Sequence, residues 1–232
     1  MRNAVVVLPA YEPDRRLVGL VERLKDRFRA VLVVNDGSRG ADGVFAALPE
    51  VDNVRLIVHP ANLGKGMALK TAFAEVLRRH SDVTGVVTAD ADGQHRVEDI
   101  LRVADALIDE PSRMALGVRS FRGNVPFRSR LGNLWTIAEF RLLTGRTVHD
   151  TQSGLRGIPL DWLPRLVHVP GTRYDYEIGV LVAAVRALGG VREVPIETVY
   201  DSGNATSHFR PLADTFHTQK ALLFDAFNPD LV

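Results

Sequence analysis

Two aspartates, Asp90 and Asp92, stand one residue apart, shortly after the apolar run from Val83 to Val87. Carboxylates at positions i and i+2, where a strand ends, can point the same way and offer several oxygen atoms to one ion. Oxygen ligands suit Mg²⁺ or Mn²⁺, and such an ion often carries the phosphates of a substrate. The pair therefore indicates chemistry on a nucleotide-activated substrate, whereas the alternative is a solvated turn between a strand and a helix.

Polar residues also follow two earlier apolar runs. Tyr11 and Glu12 come after the run that ends at Leu8, where a ring could stack on a base and a carboxylate could hold a ribose. Asp36 comes after the run that ends at Val34 and could accept hydrogen bonds from a nucleoside. Both segments can equally be surface turns, because Pro, Gly, Asn, Asp and Ser are the usual turn residues.

These segments need a scaffold that brings them together. Short β-branched runs alternate with segments of helical periodicity. The predicted strands are Ala4 to Leu8, Ala30 to Val34, Val54 to Val58, Val83 to Thr88, Met114 to Val118 and Val191 to Val199, and the predicted helices are Asp14 to Phe28, Lys65 to Arg79, Val97 to Asp109 and Ile178 to Leu188. The early strands are apolar on both faces, which predicts an α/β fold with a mainly parallel central sheet and helices on both faces. Because parallel strands end at one edge, the three polar segments should share one rim.

Composition excludes several classes of protein. The 29 Lys and Arg nearly balance the 28 Asp and Glu, so we expect no nucleic-acid partner. The absence of cysteine excludes disulfides, thiolate nucleophiles and thiolate metal sites, and it permits a reducing compartment. A chain of 232 residues can bury one large core, so we expect a single domain over residues 1–232. No apolar run approaches the roughly 20 residues that span a bilayer.

Two common phosphate-binding loops do not match this sequence. The first predicted strand is not followed by Gly-x-Gly-x-x-Gly, and the segment Asn62 to Gly66 has His59 where a P-loop requires glycine. That segment opens a helix, where Lys65 and free N–H groups could attract an anion, or where the glycines only permit a tight entry. We therefore expect a metal ion to carry the diphosphate.

After residue 118 the regular alternation stops and arginine becomes frequent. Guanidinium groups can grip two phosphate oxygens at once, and the candidates here are Arg119, Arg122, Arg128 and Arg130. The aromatic residues among and after them are Phe121, Phe127, Trp135 and Phe140. This pattern favours a surface that rests on anionic lipid, although helix packing or a dimer contact would use the same residues.

Six motifs, taken in order, resemble those of glycosyltransferase family 2, and most closely its dolichyl-phosphate mannose synthase-like branch. They are Val7 to Glu12, Val33 to Ser38, Asn62 to Gly66, Asp90 to His95, Asp150 to Arg156 and Val194 to Ile196. Together they span nearly the whole chain and are far more specific than a lone Asp-x-Asp. The resemblance implies the nucleotide-diphospho-sugar transferase A-type fold. It also implies inverting transfer of a sugar from a nucleotide-diphospho-sugar to a polyprenyl phosphate.

The resemblance implies roles for individual residues as well. Asp90 and Asp92 would bind Mg²⁺ or Mn²⁺ with Gln94 as a further oxygen donor, which makes Asp92 catalytic. Residues 1–118 would form the nucleotide-sugar-binding half, with contacts from Pro9, Tyr11, Glu12, Asp36, Lys65 and Asp90. Residues 119–232 would form the acceptor-binding half, with contacts from Arg119, Arg130, Ser153, Arg156 and Arg210.

A phosphate acceptor changes the search for a general base. A phosphate monoester has its second pKa at about 6, so at neutral pH it can attack without losing a proton. If a side chain does act as a base, Asp175 and Glu177 stand where similar proteins carry an acidic pair. Acids at the start of a helix also stabilise its dipole, which is the alternative role.

Other activities remain open at this point. A family 2 transferase could use a soluble sugar or glycan acceptor, and a non-catalytic protein could bind the nucleotide sugar for a partner. A sugar-1-phosphate nucleotidyltransferase would need a Gly-rich loop with Arg where this chain has Pro9 to Glu12. For the polyprenyl-phosphate activity we expect a cytoplasmic protein that contacts the cytoplasmic face of a membrane peripherally.

Overall fold

A mainly parallel sheet forms the centre of the computed structural model, which describes residues 1–119, 136–138 and 140–197. Its strands are β1 (Arg2–Ala10), β2 (Phe28–Asn35), β3 (Val54–Val58), β4 (Gly85–Thr88), β5 (Met114–Arg119), β6 (Arg156–Pro159) and β7 (Val191–Ile196). They lie in the order β3-β2-β1-β4-β6-β5-β7, and only β6 runs antiparallel to its neighbours within this described sheet. The predicted α/β fold class is confirmed.

Helices cover both faces of this sheet. They are α1 (Arg16–Leu24), α2 (Asp42–Phe45), α3 (Lys65–Arg79), α4 (Val97–Asp109), a short pair at Leu160–Trp162 and Leu163–Leu166, and Tyr174–Ala183, which continues as a π-helical turn over Ala184–Leu188. Residues 136–138 and 140–144 are also helical. In the part of the chain that the structure describes, none of the helices combines the length and the apolar character that crossing a bilayer requires.

Two cores lie on the two sides of the sheet because side chains alternate along each strand. Val5 and Val7 of β1 face a core formed with α3 and the helix Tyr174–Ala183. Val6 and Leu8 face a second core formed with α1 and α4. Burial of each such side chain contributes roughly 1.5–3 kcal/mol relative to exposure. The apolar pattern of β1 therefore reflects helices on both sides, as predicted.

Some predicted elements differ from the structure. The helix predicted from Asp14 covers only Arg16–Leu24, because Phe28 begins β2 and is buried in the core. The helix predicted from Ile178 begins earlier, at Tyr174. The strand predicted over Val191 to Val199 ends at Ile196, and residues 198 and 199 lie outside the described residues.

Two strands in particular depart from the prediction. Strand β6 was missed, because Arg156–Pro159 contains Gly and Pro and reads as a turn. Strand β3 was expected to be covered on both faces, but Leu56 is 37% exposed and Val58 is 60% exposed. The reason is that β3 lies at the edge of the sheet.

Polar loops from distant parts of the sequence meet at one rim of the sheet. The ends of β1 and β2 are aligned, since Ala10 pairs with Asn35, and Val7 of β1 pairs with Thr88 at the end of β4. Strand β6 runs the other way, so its first residue, Arg156, pairs with Thr88. The turn that precedes β6 therefore reaches the same rim as the loops that follow β1, β2 and β4.

Candidate active site

An ion pair joins the first aspartate of the acidic pair to the first residue of α3. Lys65 Nζ lies 2.7 Å from Asp90 Oδ1, and His95 Nε2 lies 3.3 Å from Asp90 Oδ2. Burial alone would raise the pKa of Asp90, but the charge of Lys65 holds that pKa well below its usual range. Burial alone would lower the pKa of Lys65, but nearby carboxylates raise it above its usual value. Both side chains are therefore charged at neutral pH.

Close packing of the chain places Lys65 there. Gly64 has a φ of 101°, a left-handed conformation that favours glycine, and a Cβ at this position would lie 2.4 Å from Thr172 O. Met67 N donates a hydrogen bond to Thr172 O over 3.1 Å. The start of α3 thus lies directly against the segment before the helix Tyr174–Ala183. For Gly64 the structure therefore favours a glycine that permits tight packing over a glycine in a phosphate-binding loop.

The two candidate bases lie in different surroundings. Glu177 is buried, and its Oε2 lies 2.9 Å from Lys65 Nζ. Asp175 lies in the same first helical turn, and its Oδ1 accepts a hydrogen bond from Arg173 N over 2.8 Å. Of the two, only Glu177 joins the ion cluster around Asp90, while Asp175 lies in the first turn, where its charge stabilises the helix dipole.

Asp92 lies close enough to Asp90 for the two carboxylates to repel each other. Burial raises the pKa of Asp92, and the charge of Asp90 raises it further. Asp92 Oδ1 accepts a hydrogen bond from Gln94 N over 3.0 Å, and Gln94 is half-buried beside it. A cation between the carboxylates would remove the repulsion, so these oxygen donors fit Mg²⁺ or Mn²⁺.

The protein alone supplies few metal ligands at this position. Among residues 1–119, 136–138 and 140–197, no group of three or more His, Cys, Asp and Glu side chains is arranged to hold a metal ion. Asp90 and Asp92 would provide two carboxylates, and Gln94 an amide oxygen. Mg²⁺ and similar ions commonly complete such a shell with substrate phosphates and water. The site therefore suits an ion that arrives with a nucleotide.

Asp36 organises the loop that leads into α3 and its first residue, Lys65. Its carboxylate accepts hydrogen bonds from Leu63 N over 2.9 Å and from Gly64 N over 2.8 Å. His59 Nδ1 lies 2.8 Å from Asp36 Oδ1, and His59 Nε2 lies 2.9 Å from Thr71 Oγ1. Sequence reasoning had missed His59, although its position directly after β3 was an available signal. Contact between Asp36 and a nucleoside stays a prediction.

The loops after β1 and β2 are joined through Glu12. Its backbone N donates to Ser38 Oγ over 2.8 Å, and its Oε1 accepts from Arg39 N over 2.7 Å. Glu12 has a φ of 48°, which is uncommon outside glycine and which these bonds support. Tyr11 is 41% exposed beside it, and Pro9 lies at the end of β1. Their contacts with a nucleotide sugar stay predictions.

The turn Asp150 to Arg156 lies against the Lys65–Asp90 pair at the rim. A Cβ at Gly154 would lie 2.9 Å from both Asp90 Oδ2 and Lys65 Nζ. Thr88 Oγ1 donates a hydrogen bond to Gly154 O over 2.8 Å. Ser153 is buried inside the turn, where its Oγ accepts from Leu155 N over 3.4 Å. The predicted acceptor turn thus contacts the predicted metal ligand.

Arg156 connects this turn to the helix that carries Glu177. The side chain is 2% exposed, and its Nε donates to Ser153 O over 2.9 Å. Its Nη1 donates to Glu177 O, whereas its buried Nη2 has no hydrogen-bond partner among the described residues. Burial lowers the pKa of Arg156. An acceptor contact from this residue stays a prediction.

The remaining acceptor candidates have different outcomes. Arg119 lies at the end of β5 and is paired with the buried Asp150. Phe140 is fully buried in the core, so for this residue packing accounts for the aromatic side chain. The candidates that lie outside the described residues are Arg122, Arg128, Arg130, Arg210, Phe121, Phe127 and Trp135.

Comparisons with known proteins agree with this geometry. The family model described as glycosyl transferase family 2 matches residues 5–183. A polyprenol monophosphomannose synthase of Mycolicibacterium smegmatis is 31% identical over 206 residues, which cover 84% of this chain and 77% of that protein. A UDP-N-acetylglucosamine–dolichyl-phosphate N-acetylglucosaminyltransferase of Methanococcus voltae is 28% identical over 218 residues, which cover 84% of this chain and 85% of that protein.

Solved structures share the fold at lower identity. Glucosyl-3-phosphoglycerate synthase of Mycobacterium tuberculosis, crystallised with Mn²⁺, UDP and glucosyl-3-phosphoglycerate, matches with a TM-score of 0.68 at 19% identity. The match covers 98% of this chain and 79% of that protein. The chain therefore belongs to glycosyl transferase family 2, as a nucleotide-sugar glycosyltransferase of its dolichyl-phosphate mannose synthase-like branch.

Proposed function

We propose that the protein is a metal-dependent, inverting transferase that moves a sugar from a nucleotide-diphospho-sugar to a polyprenyl phosphate. The observation that carries the proposal is the contact of Gly154, in the acceptor turn, with the Lys65–Asp90 pair on the donor side. The names of relatives from three organisms support a polyprenyl phosphate as the acceptor. We further propose that the protein works at the cytoplasmic face of a membrane.

On the donor side, Asp90, Asp92 and Gln94 would hold Mg²⁺ or Mn²⁺. Such an ion, when bound, supplies positive charge that offsets the charge developing on the departing nucleoside diphosphate. Lys65 adds a fixed positive charge next to Asp90. Tyr11 would stack on the base beside the loops that Glu12 and Asp36 hold together, with Pro9 at their edge. These residues orient the diphosphate so that it leaves away from the acceptor.

On the acceptor side, the protein has to hold a phosphate dianion rather than deprotonate a hydroxyl. A phosphate oxygen forms a bond to the anomeric carbon as the bond from that carbon to the nucleoside diphosphate breaks. Attack from the face opposite the leaving group inverts the configuration. Arg130 and Arg210 would bind the phosphate through paired N–H groups. Arg119, whose Nε and Nη2 contact Asp150, would add positive charge beside it. Ser153 and Arg156 would shape the turn beside it.

The proposal predicts a defined requirement for lipid phosphate. A thermal-shift screen with uridine and guanosine diphosphate sugars, with and without Mn²⁺, identifies the donor, because a ligand of the folded state raises the unfolding temperature.

The identified donor is then used in radiolabelled form with a polyprenyl phosphate, the matching polyprenol, or free sugars. We expect organic-extractable label only with the polyprenyl phosphate, and EDTA should abolish it. Label that enters only water-soluble acceptors would overturn the proposal. Proton NMR of the product linkage tests inversion.

A further inference from the structure

We infer that Glu177 is a positioning residue, which holds Lys65 beside Asp90 and thereby sets the charge that a metal ion meets, and that it is not a general base. The inference rests on the proposed metal-dependent transfer and deepens it. Glu177 is one of the two candidate bases, and its side chain meets a residue that lies far away in the sequence.

The ammonium group of Lys65 lies between two carboxylates. Its Nζ is 2.7 Å from Asp90 Oδ1 and 2.9 Å from Glu177 Oε2. The side chains are 17% exposed for Lys65, 31% for Asp90 and 11% for Glu177. The ring of Tyr174 lies 5.7 Å from the same nitrogen, within the range of a cation–π contact. Lys65 is therefore held at one place, with Glu177 on its less exposed side.

Glu177 is itself fixed by its surroundings. Its backbone oxygen accepts a hydrogen bond from Arg156 Nη1, and Arg156 Nε donates to Ser153 O. The preceding residue, Tyr176, is fully buried, and its hydroxyl donates to Leu166 O over 2.9 Å. A carboxylate anchored in this way, with one oxygen on an ammonium group, is suited to hold that group in place. Its position does not require it to receive a proton from the acceptor.

The charges explain why the cluster needs both carboxylates. Asp90 and Glu177 carry two negative charges and Lys65 carries one positive charge, so the cluster retains one negative charge. Without the charge of Glu177, the Lys65–Asp90 pair would be neutral, and Asp90 would attract a divalent ion less strongly. With it, Lys65 is shared between the two carboxylates and Asp90 remains a good ligand. Glu177 thus acts on the metal site through Lys65.

Binding of Mn²⁺ in the presence of UDP, measured from the electron paramagnetic resonance signal of free Mn²⁺, tests this inference without catalysis. Glu177→Gln keeps an oxygen that Lys65 can contact but removes the charge, and we expect about tenfold weaker Mn²⁺ binding. Glu177→Leu also removes the oxygen and should weaken binding further. Glu98→Gln, an exposed glutamate in the first turn of α4, is the matched control and should leave binding within about twofold. Unchanged Mn²⁺ binding in both Glu177 variants would overturn the inference.

A second comparison covers the case in which Glu177→Leu does not fold. In a Lys65→Met background, Glu177→Gln should change the Mn²⁺ dissociation constant by less than about twofold, because the residue through which it acts is gone. If Glu177→Gln weakened Mn²⁺ binding equally in the wild-type and the Lys65→Met backgrounds, the inference would be overturned. A Glu177→Gln variant that binds Mn²⁺ normally but lacks turnover and the acidic limb of its pH profile would also overturn it. Failure of the proposed function appears separately, as a wild-type protein that makes no lipid-linked product.

Discussion

Arg119 and Asp150 form a two-point ion pair, with Arg119 Nε 2.7 Å from Asp150 Oδ2 and Nη2 2.8 Å from Oδ1. Asp150 is fully buried, and its carboxylate also accepts bonds from the backbone N–H groups of Arg119 and Gln152. The pair ties the end of β5 to the turn before β6. Arg119 therefore holds this turn in shape.

Loss of this pair should be costly for stability. Arg119→Met leaves the buried Asp150 carboxylate without its cation, and we expect the free energy of unfolding to fall by about 3 kcal/mol. Arg23→Met removes an exposed pair with Glu98 and should cost less than about 1 kcal/mol. Urea unfolding followed by circular dichroism measures both variants. Losses of equal size would argue against a structural role for the Arg119 pair.

Removal of the negative charge of Asp92 should separate activity from stability. Asp92→Asn should reduce turnover by at least about 100-fold, since one proposed metal ligand becomes a weak one. The same change should raise the unfolding temperature of metal-free protein at neutral pH, because it ends the cost of burying a charge and the repulsion from Asp90. Wild-type turnover in Asp92→Asn would remove the proposed metal role.

The gain in stability from Asp92→Asn should depend on pH. The folded-state pKa of Asp92 is raised, so in wild type the cost of its charge grows as pH rises from the unfolded value of about 3.9 through the folded value. Below that window the carboxyl is protonated in both states and the cost is absent. The gain should therefore be complete at neutral pH and vanish near pH 3. Thermal unfolding across this range, in EDTA, measures it, and a constant difference would contradict the explanation.

A methyl group at Gly154 should damage the site and spare the fold. The new Cβ would lie 2.9 Å from Asp90 Oδ2 and Lys65 Nζ, so the ion pair has to move. We expect turnover to fall by about tenfold or more in Gly154→Ala, with the far-ultraviolet circular dichroism spectrum retained. Gly19→Ala in α1 is the control, because its Cβ would meet nothing within 4 Å. That change should leave turnover intact and stabilise the protein by about 0.5–1 kcal/mol. Turnover near wild type in Gly154→Ala would show that the ion pair has room to adjust.

Removal of His59 should loosen the loop before α3. His59→Ala deletes the contact with Asp36 and leaves Thr71 without its partner at this point, and we expect a loss of about 1–3 kcal/mol of stability. Thr71→Val removes only the second contact and should cost less. The UDP-induced thermal shift should also shrink in His59→Ala, because the loop leads into Lys65 at the start of α3. An undiminished shift would mean that donor binding does not depend on this loop.

Local patterns accounted for much of the fold. The bounds of α3, α4 and β3 agree with the prediction at both ends, because apolar periodicity is regular there and polar or glycine residues end each run. Strand β6 could not be recognised, since its four residues hydrogen-bond to strands that lie far away in the sequence. The division into halves at residue 118 stays a prediction.

Site residues were predictable from the sequence only where they come directly after a strand. Asp90 and Asp92 were recognisable because a short acidic pattern follows a buried strand. The contact of Lys65 with Glu177 was not, because it depends on how α3 packs against the helix Tyr174–Ala183. His59 directly follows β3, but its role was not predictable because it depends on Asp36, which follows β2, and on Thr71 in α3.

The reversed direction of β6 has a consequence for how such enzymes can diversify. The proposed donor residues sit on connections that leave strands, whereas the turn from Asp150 to Leu155 sits on a connection that enters one. A graft of residues 120–155 from a family member with another acceptor could then change the acceptor preference while the donor preference stays the same. Such chimeras would have to keep Gly154, which packs against the Lys65–Asp90 pair, and Asp150, which pairs with Arg119 outside the graft.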